Sequence, residues 1–246
     1  MNKFVRIMLA LVAISFIASA PLYAQDTQIE KPADIIVYVM FYPPNTTLSS
    51  EGKIEGPWVD TIQKFLDQTD LTYEIQSIPW ERSYLEATTK DNVLIAHLDR
   101  TIQRENQFHW IYQLSSTTYS LIARNEPRFR NATIEQIIAG DDMAACIKVS
   151  APCDMLKNIG IPENRIIEFP DYVGLIVAEL VLERRAAFML EDFNIISKRV
   201  IELQLPENSL IPLFDVQSIS SYLAAAKNID PDILSRLQQA TETVVD

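Results

Sequence analysis

The stretch from His97 to Arg104 gathers an imidazole, a carboxylate and two guanidiniums just past an apolar run, Val93-Leu94-Ile95-Ala96. A guanidinium can bond a carboxylate bidentately through its rigid fork. Arg104 is therefore a candidate anchor for an anionic ligand group, the alternative being a solvated arginine at a helix start. Arg100 reads first as an ion-pairing residue at a strand end. His97 and His109 are the only histidines. They do not stand at helical spacing and no CxxC accompanies them, whereas zinc needs three or four converging ligands. No metal is expected, and His97 with Asp99 reads either as polar lining of a cleft or as strand-end packing. Glu191-Asp192 offers a carboxylate either to an amine or to the dipole of a following helix. Tyr42 and Trp80 supply large, rigid faces suited to stacking on a ligand, or to ordinary core packing. Trp58 and Trp110 read as core.

Composition removes several function classes. The formal charge is −12, opposite to the basic footprint that nucleic acid requires, so no nucleic-acid partner is expected. With 5 glycines against 13 prolines, neither GxxxxGK[ST] nor GxGxxG occurs, which leaves no phosphate cradle. No GxSxG serine elbow is present. No cofactor is expected. Asn45-Thr46-Thr47 and Asn131-Ala132-Thr133 match a glycosylation triplet but carry no assigned function.

The elements that must position these groups alternate between strand and helix. Ile35–Met40 reads as a buried strand, Pro57 opens a helix with Val59, Ile62, Phe65 and Leu66 on one face, and Leu71–Ile75 alternates as a half-exposed strand. A short helix from Pro79 leads to the strand Val93–Leu98. This β-α-β-α-β order predicts a mostly parallel sheet. The pattern restarts with a strand at Tyr119–Ala123 and a capping box, Thr133-Ile134-Glu135-Gln136, whose helix Gly140 closes. Strands follow at Met143–Ile147, Arg165–Phe169, Ala186–Leu190 and Ser220–Ala226. Helices are expected around Pro152–Asn158, from an Asp171 cap through Val173 to Val181, from Asp192 and from Asp230-Pro231. Hydrophobic residues make up 48% of the chain, enough to build two α/β cores. With no low-complexity linker between them, two lobes should pack face to face around a cleft.

Residues 1–24 read as a signal peptide: Lys3 and Arg6 precede an apolar stretch, Ile7–Ala20, too short to span a bilayer comfortably. Cleavage after Ala24 is expected, with an uncleaved anchor the alternative. Loss of Lys3 and Arg6 takes the formal charge from −12 to −14. Cys146 and Cys153 would then sit in an oxidising compartment, where a disulfide is expected in place of two packed thiols.

The segments "YPPNTTLSSEGKIEGPWVDTIQKFLDQ" (42–68), "PWERSY" (79–84) and "RTIQRENQFHW" (100–110) resemble, in order and spacing, the type II periplasmic solute-binding proteins, specifically the amino-acid-binding family 3. That resemblance implies an α/β clamshell of two lobes, each a mostly parallel sheet flanked by helices, with lobe one at 25–117 plus 216–246 and lobe two at 118–215. It implies a small-molecule ligand bearing a carboxylate, held by Arg104 and Thr101 and flanked by Tyr42 and Trp80. From lobe two, Ser150 falls near the helix start that meets the carboxylate, and Glu191 and Asp192 fall near the acid that pairs with an α-amino group. His97 and Asp99 occupy positions where relatives present small hydroxyl residues, which points to a different ligand preference. Asn45 and Val149-Ser150-Ala151-Pro152-Cys153 also depart from the family pattern. The resemblance implies a monomeric periplasmic protein that serves an inner-membrane permease of the ABC type and performs no chemistry. A dehydratase-like periplasmic enzyme using His97, Asp99 or Glu191, and a sensor or interaction protein with an altered cleft, are the other classes.

Overall fold

Apolar runs of four to six residues, spaced by amphipathic helices, give the first half of the sheet. The computed structural model describes residues 32–170, 176–202, 204–206 and 208–244. The expected leader (1–24) and the expected helix start at Asp171 and Val173 lie outside the described residues. Strand β1 (Ile35–Val39) is followed by the short pair β2 (Thr47–Leu48) and β3 (Ile54–Glu55), helix α1 (Pro57–Leu66), β4 (Tyr73–Ser77), α2 (Trp80–Thr89) and β5 (Val93–Asp99). β4 and β5 both pair parallel with β1.

The chain then enters β6 (Phe108–Arg124), α3 (Ile134–Ala139), β7 (Ala144–Ile147), α4 (Ala151–Asn158), β8 (Ile166–Phe169), α5 (Ile176–Leu182), β9 (Phe188–Glu191), α6 (Phe193–Glu202), β10 (Leu210–Ala226) and α7 (Pro231–Val244). β8 and β9 pair parallel with β7. The whole is one eight-stranded sheet in the order β4-β1-β5-β10-β6-β9-β7-β8. Each half thus contains three mutually parallel strands, and the antiparallel pair β6–β10 runs through both.

This pair departs from the sequence expectation. Tyr119–Ala123 and Ser220–Ala226 are only the ends of two 17-residue strands. Their middles carry Ser115, Ser116, Thr117 and Thr118 opposite Ser221, Ser220, Ile219 and Ser218 in turn. Such runs carry no apolar alternation, so periodicity reads them as loop. They are strand because hydroxyls pair across the ladder: Ser115 with Ser221 at 2.7 Å and Thr118 with Ser218 at 2.8 Å.

Cores form on both faces of each half. In the first, Ile35, Val37, Ile62, Phe65, Leu94 and Leu237 pack together. In the second, Leu121, Phe129, Ile137, Leu156 and Phe188 form one core, and Ile122, Val181, Met189 and Ile196 the other. Each fully buried side chain of this size contributes about 1.5–3 kcal/mol. A further cluster joins the halves: Tyr38, Trp80, Ile95 and Leu98 meet Ile147, with Phe169 and Val177 against them. The capping box at Thr133 is formed in both directions. Asp230 caps α7 by accepting from the Asp232 N–H at 2.8 Å.

Candidate functional site

Between the halves lies a cavity with about 550 Å³ of atom-free space, open solvent included. Of the side chains singled out in the sequence, it brings together Tyr42, Trp80, His97, Asp99, Ser150 and Glu191. Arg104 and Thr101 are not part of its wall.

The first-half wall is built by two backbone devices. One is the turn before α1, where the Tyr42 N–H donates to Thr46 O and the Trp58 N–H to Asn45 O, both at 3.1 Å. Gly56, at φ 127°, lets the chain come this close: a Cβ there would stand 2.4 Å from Asn45 O. The result is a stack of three rings. Tyr42 and Trp58 lie parallel with centroids 5.3 Å apart, and Trp58 and His97 lie at 3.7 Å. Trp58 is half-buried and lines the cavity, where the sequence expectation has it as core.

The other device is a bulge in β5. Ile95 faces Ala224 and Leu98 faces Tyr222, so Ala96 and His97 oppose the single residue Leu223. His97 absorbs the extra length at φ 53°, in the left-handed region. Bulges re-aim side chains in this way, and a strained non-glycine residue costs about 1–3 kcal/mol. The imidazole is 8% exposed, and neither of its nitrogens has a hydrogen-bond partner. Burial pulls its pKa down to about 3, so it is neutral at physiological pH.

Asp99 ends β5 and accepts from the Tyr119 hydroxyl at 2.9 Å. Burial raises its pKa to about 6, against the opposing pull of Tyr119 and the nearby Arg104 charge. Glu191, at the end of β9, is half-buried and accepts from the Tyr42 hydroxyl across the cavity at 3.3 Å. Its pKa rises to about 8, through desolvation first and then the charges of Asp99 and Asp192. Two carboxylates thus face one space and oppose each other's ionisation. Asp192 also accepts from the Asn194 N–H at 2.8 Å at the start of α6, the helix-start role expected of this acidic pair. Ser150 precedes α4, yet its hydroxyl makes no capping bond and is buried without a partner. Pro152, in the first turn of α4, removes one of the N–H donors that a helix start usually presents.

Arg104 is 3% exposed. Its guanidinium donates to Asp99 O at 3.1 Å and to Val149 O, on the other side of the cleft, at 2.7 Å, and it lies 5.3 Å from the Tyr84 ring centroid. The Trp80 indole N–H also donates to Val149 O, at 3.4 Å. Val149 is β-branched and sits at φ 53°, an outlier for such a residue. The buried Thr101 hydroxyl has no partner. Arg100 instead pairs with Glu105 at 2.9 Å and covers the Trp110 and Tyr222 rings outside the cleft.

Polar residues that sequence reasoning missed in the wall are Ser115, Thr117, Tyr119 and Ser221. The signal was the hydroxyl run itself, since a polar interruption in a strand marks where it leaves the core. A second, apolar space adjoins Tyr42 and Glu191, lined by Ile147, Val177, Met189 and Ile196. Cys146 and Cys153 form a disulfide, Cα–Cα 5.3 Å, that ties the end of β7 to α4 just beyond Ser150. Among the described residues no cluster of three or more His, Cys, Asp or Glu side chains could hold a metal ion, and no helix is long and apolar enough to cross a membrane.

No protein-family model matches the chain, and a search of curated proteins finds no match. Solved structures do match. The arginine-, lysine-, histidine-binding protein ArtJ from Geobacillus stearothermophilus superposes with a TM-score of 0.70 at 16% identity, over 86% of this chain and 89% of that one. EhuB in complex with hydroxyectoine gives 0.72 at 13% identity, over 85% and 82%. A histidine kinase sensor domain with similarity to periplasmic binding proteins gives 0.70 at 15% identity, over 86% and 90%. Identities this low speak for architecture alone, and they agree with the sheet order and its paired crossing strands: the chain has the two-lobed α/β fold of the type II periplasmic binding proteins.

Proposed function

We propose that this chain is an exported, monomeric solute-binding protein that captures a small organic ligand between its lobes and delivers it to an inner-membrane permease. The observation that carries this reading is a cavity closed by contacts from opposite walls while polar groups inside it stay unpartnered. Tyr42 reaches Glu191, and Trp80 and Arg104 reach Val149. His97 and Ser150 remain without partners. Buried polar groups without partners cost about 1–3 kcal/mol each, a cost that a ligand removes on binding. Closure then draws its energy from contacts made only in the closed state.

The similar structures support capture over chemistry, since those described by a ligand bind arginine, lysine, histidine or hydroxyectoine. An amino acid or related acid, the class implied by the sequence resemblance, would place its amine at Glu191 and its carboxylate on Arg104. That requires Arg104 to exchange Val149 O for the ligand. The raised pKa values of Asp99 and Glu191 are also what a general acid needs; product formation from a bound ligand would identify an enzyme.

A thermal-shift screen against amino acids, organic acids and amines tests the reading. A true ligand at 100 times its Kd should add about 2.7 kcal/mol to stability. A melting temperature that stays put against every class would overturn it.

A further inference from the structure

We propose that the cleft takes a small organic cation that carries no carboxylate, held between Asp99 and Glu191 against the Tyr42–Trp58–His97 ring stack, with His97 accepting a hydrogen bond from the ligand's N–H. This deepens the solute-capture reading and rests on it.

Four observations converge. First, the described residues that line the cavity include two facing carboxylates, plus Asp192, and no lysine or arginine. An anionic group placed there would be repelled by these carboxylates wherever they are ionised. Second, the nearest guanidinium is committed elsewhere: Arg104 donates to Asp99 O and Val149 O, is buried, and lies outside the lining. The α4 start, the other element that favours anions, has Pro152 in place of a donor. Third, His97 is more than nine-tenths buried in the cavity wall with both nitrogens unpartnered. A neutral imidazole has one acceptor nitrogen, which suits an ammonium or guanidinium N–H. Fourth, the aromatic side chains of Tyr42, Trp58, Trp80 and Tyr119 line the space, and aromatic rings attract cations. The acidic net charge of the chain, −12, steers the same class of ligand.

The groups facing the two carboxylates set the pH dependence. Asp99 meets Tyr119, Arg104 and Glu191; Glu191 meets Tyr42, Asp99 and Asp192. A cation binds the ionised carboxylates and displaces their protons. Both groups have raised pKa values, about 6 and about 8. Affinity should therefore rise with pH from about 6 to about 8 and level off above, with net proton release below that plateau.

The test is calorimetric titration of the purified protein with matched pairs that differ by one carboxylate: agmatine and arginine, cadaverine and lysine, histamine and histidine. At pH 8 the carboxylate-free member of at least one pair should bind tenfold or more tighter than its partner. Repeating the titration in buffers of different ionisation enthalpy should show proton release that diminishes as the pH approaches 8. Glu191→Gln should weaken that amine tenfold or more and remove most of the proton release; its folding is checked by circular dichroism, and the wild-type proton count stands whether or not it folds. An amino acid that binds as tightly as its decarboxylated partner, no binding in any pair, or tight binding of succinate overturns the proposal. A confirmed carboxylate ligand leaves solute capture intact, whereas failure of every solute class to bind removes capture itself.

Discussion

Arg165 and Arg104 are both buried arginines that spend their guanidinium on backbone carbonyls, and they do different work. Arg165 donates to Ile137, Ile138 and Asp142 carbonyls at 2.7–2.9 Å, all within the second half. Arg104 donates to Asp99 O in the first half and to Val149 O across the cleft. The chemistry is identical, but the first set forms whenever the second half is folded, while part of the second forms only when the halves meet. Location relative to the cleft turns a fold-holding contact into a latch. The latch is also the strained part, because Val149 holds a left-handed backbone that its neighbours must enforce.

The largest expected effect lies on the side that holds the fold. Arg165→Met leaves three carbonyls without their donor in a mostly buried place, a loss of about 3 kcal/mol or more. For a chain of this size that is a melting-point drop of roughly 6–12 °C. Urea unfolding measures it, and small-angle scattering of the folded variant should match the wild-type radius. If Arg165→Met changes the radius but not the stability, the assignment of roles is reversed.

Arg104→Met should act the other way round. It removes one charge-assisted bond across the cleft, about 1.5–3 kcal/mol, against the closed state more than against the fold. The expected signature is a larger scattering radius without ligand and a ligand affinity lowered about tenfold or more, with a smaller shift in urea midpoint than Arg165→Met. Equal midpoint shifts in the two variants would dissolve the distinction.

This contrast marks where the sequence is legible. The β-α alternation from Ile35 to Leu98 can be read because apolar runs and amphipathic faces record burial directly. The crossing strands could not, because β6 and β10 carry their hydroxyls where they pass the cleft and so lose the periodicity that identifies a strand. Among candidate residues, residue type and the family resemblance together pointed to Tyr42, Trp80, His97, Asp99, Ser150 and Glu191, which the fold brings to one cavity, and to Arg104 and Thr101, which it leaves outside the lining. The partners of Arg104 were out of reach, because a carbonyl acceptor has no residue type to betray it. Trp58 reads as core since large aromatics usually are, and only the turn fixed by Gly56 brings it to the cavity wall. The left-handed turn at His97 likewise leaves no mark in the pattern Val93–Asp99, because a bulge is a matter of register with β10 rather than of composition.

The smallest expected effect sharpens the comparison most. Lys148 pairs with Glu81, so a second cation joins the two halves one residue from Val149. A count of contacts would rank it beside Arg104. Yet the two side chains are 48% and 40% exposed, and exposed pairs contribute about 0–1 kcal/mol and are screened by salt. Lys148→Ala should therefore change ligand affinity by less than about threefold at physiological salt, and the difference should vanish at high salt, where screening removes what the pair contributes. A tenfold loss that persists at 1 M salt would mean that crossing the cleft is what matters. The expected result says instead that crossing counts only where the crossing group is buried, as it is at Arg104.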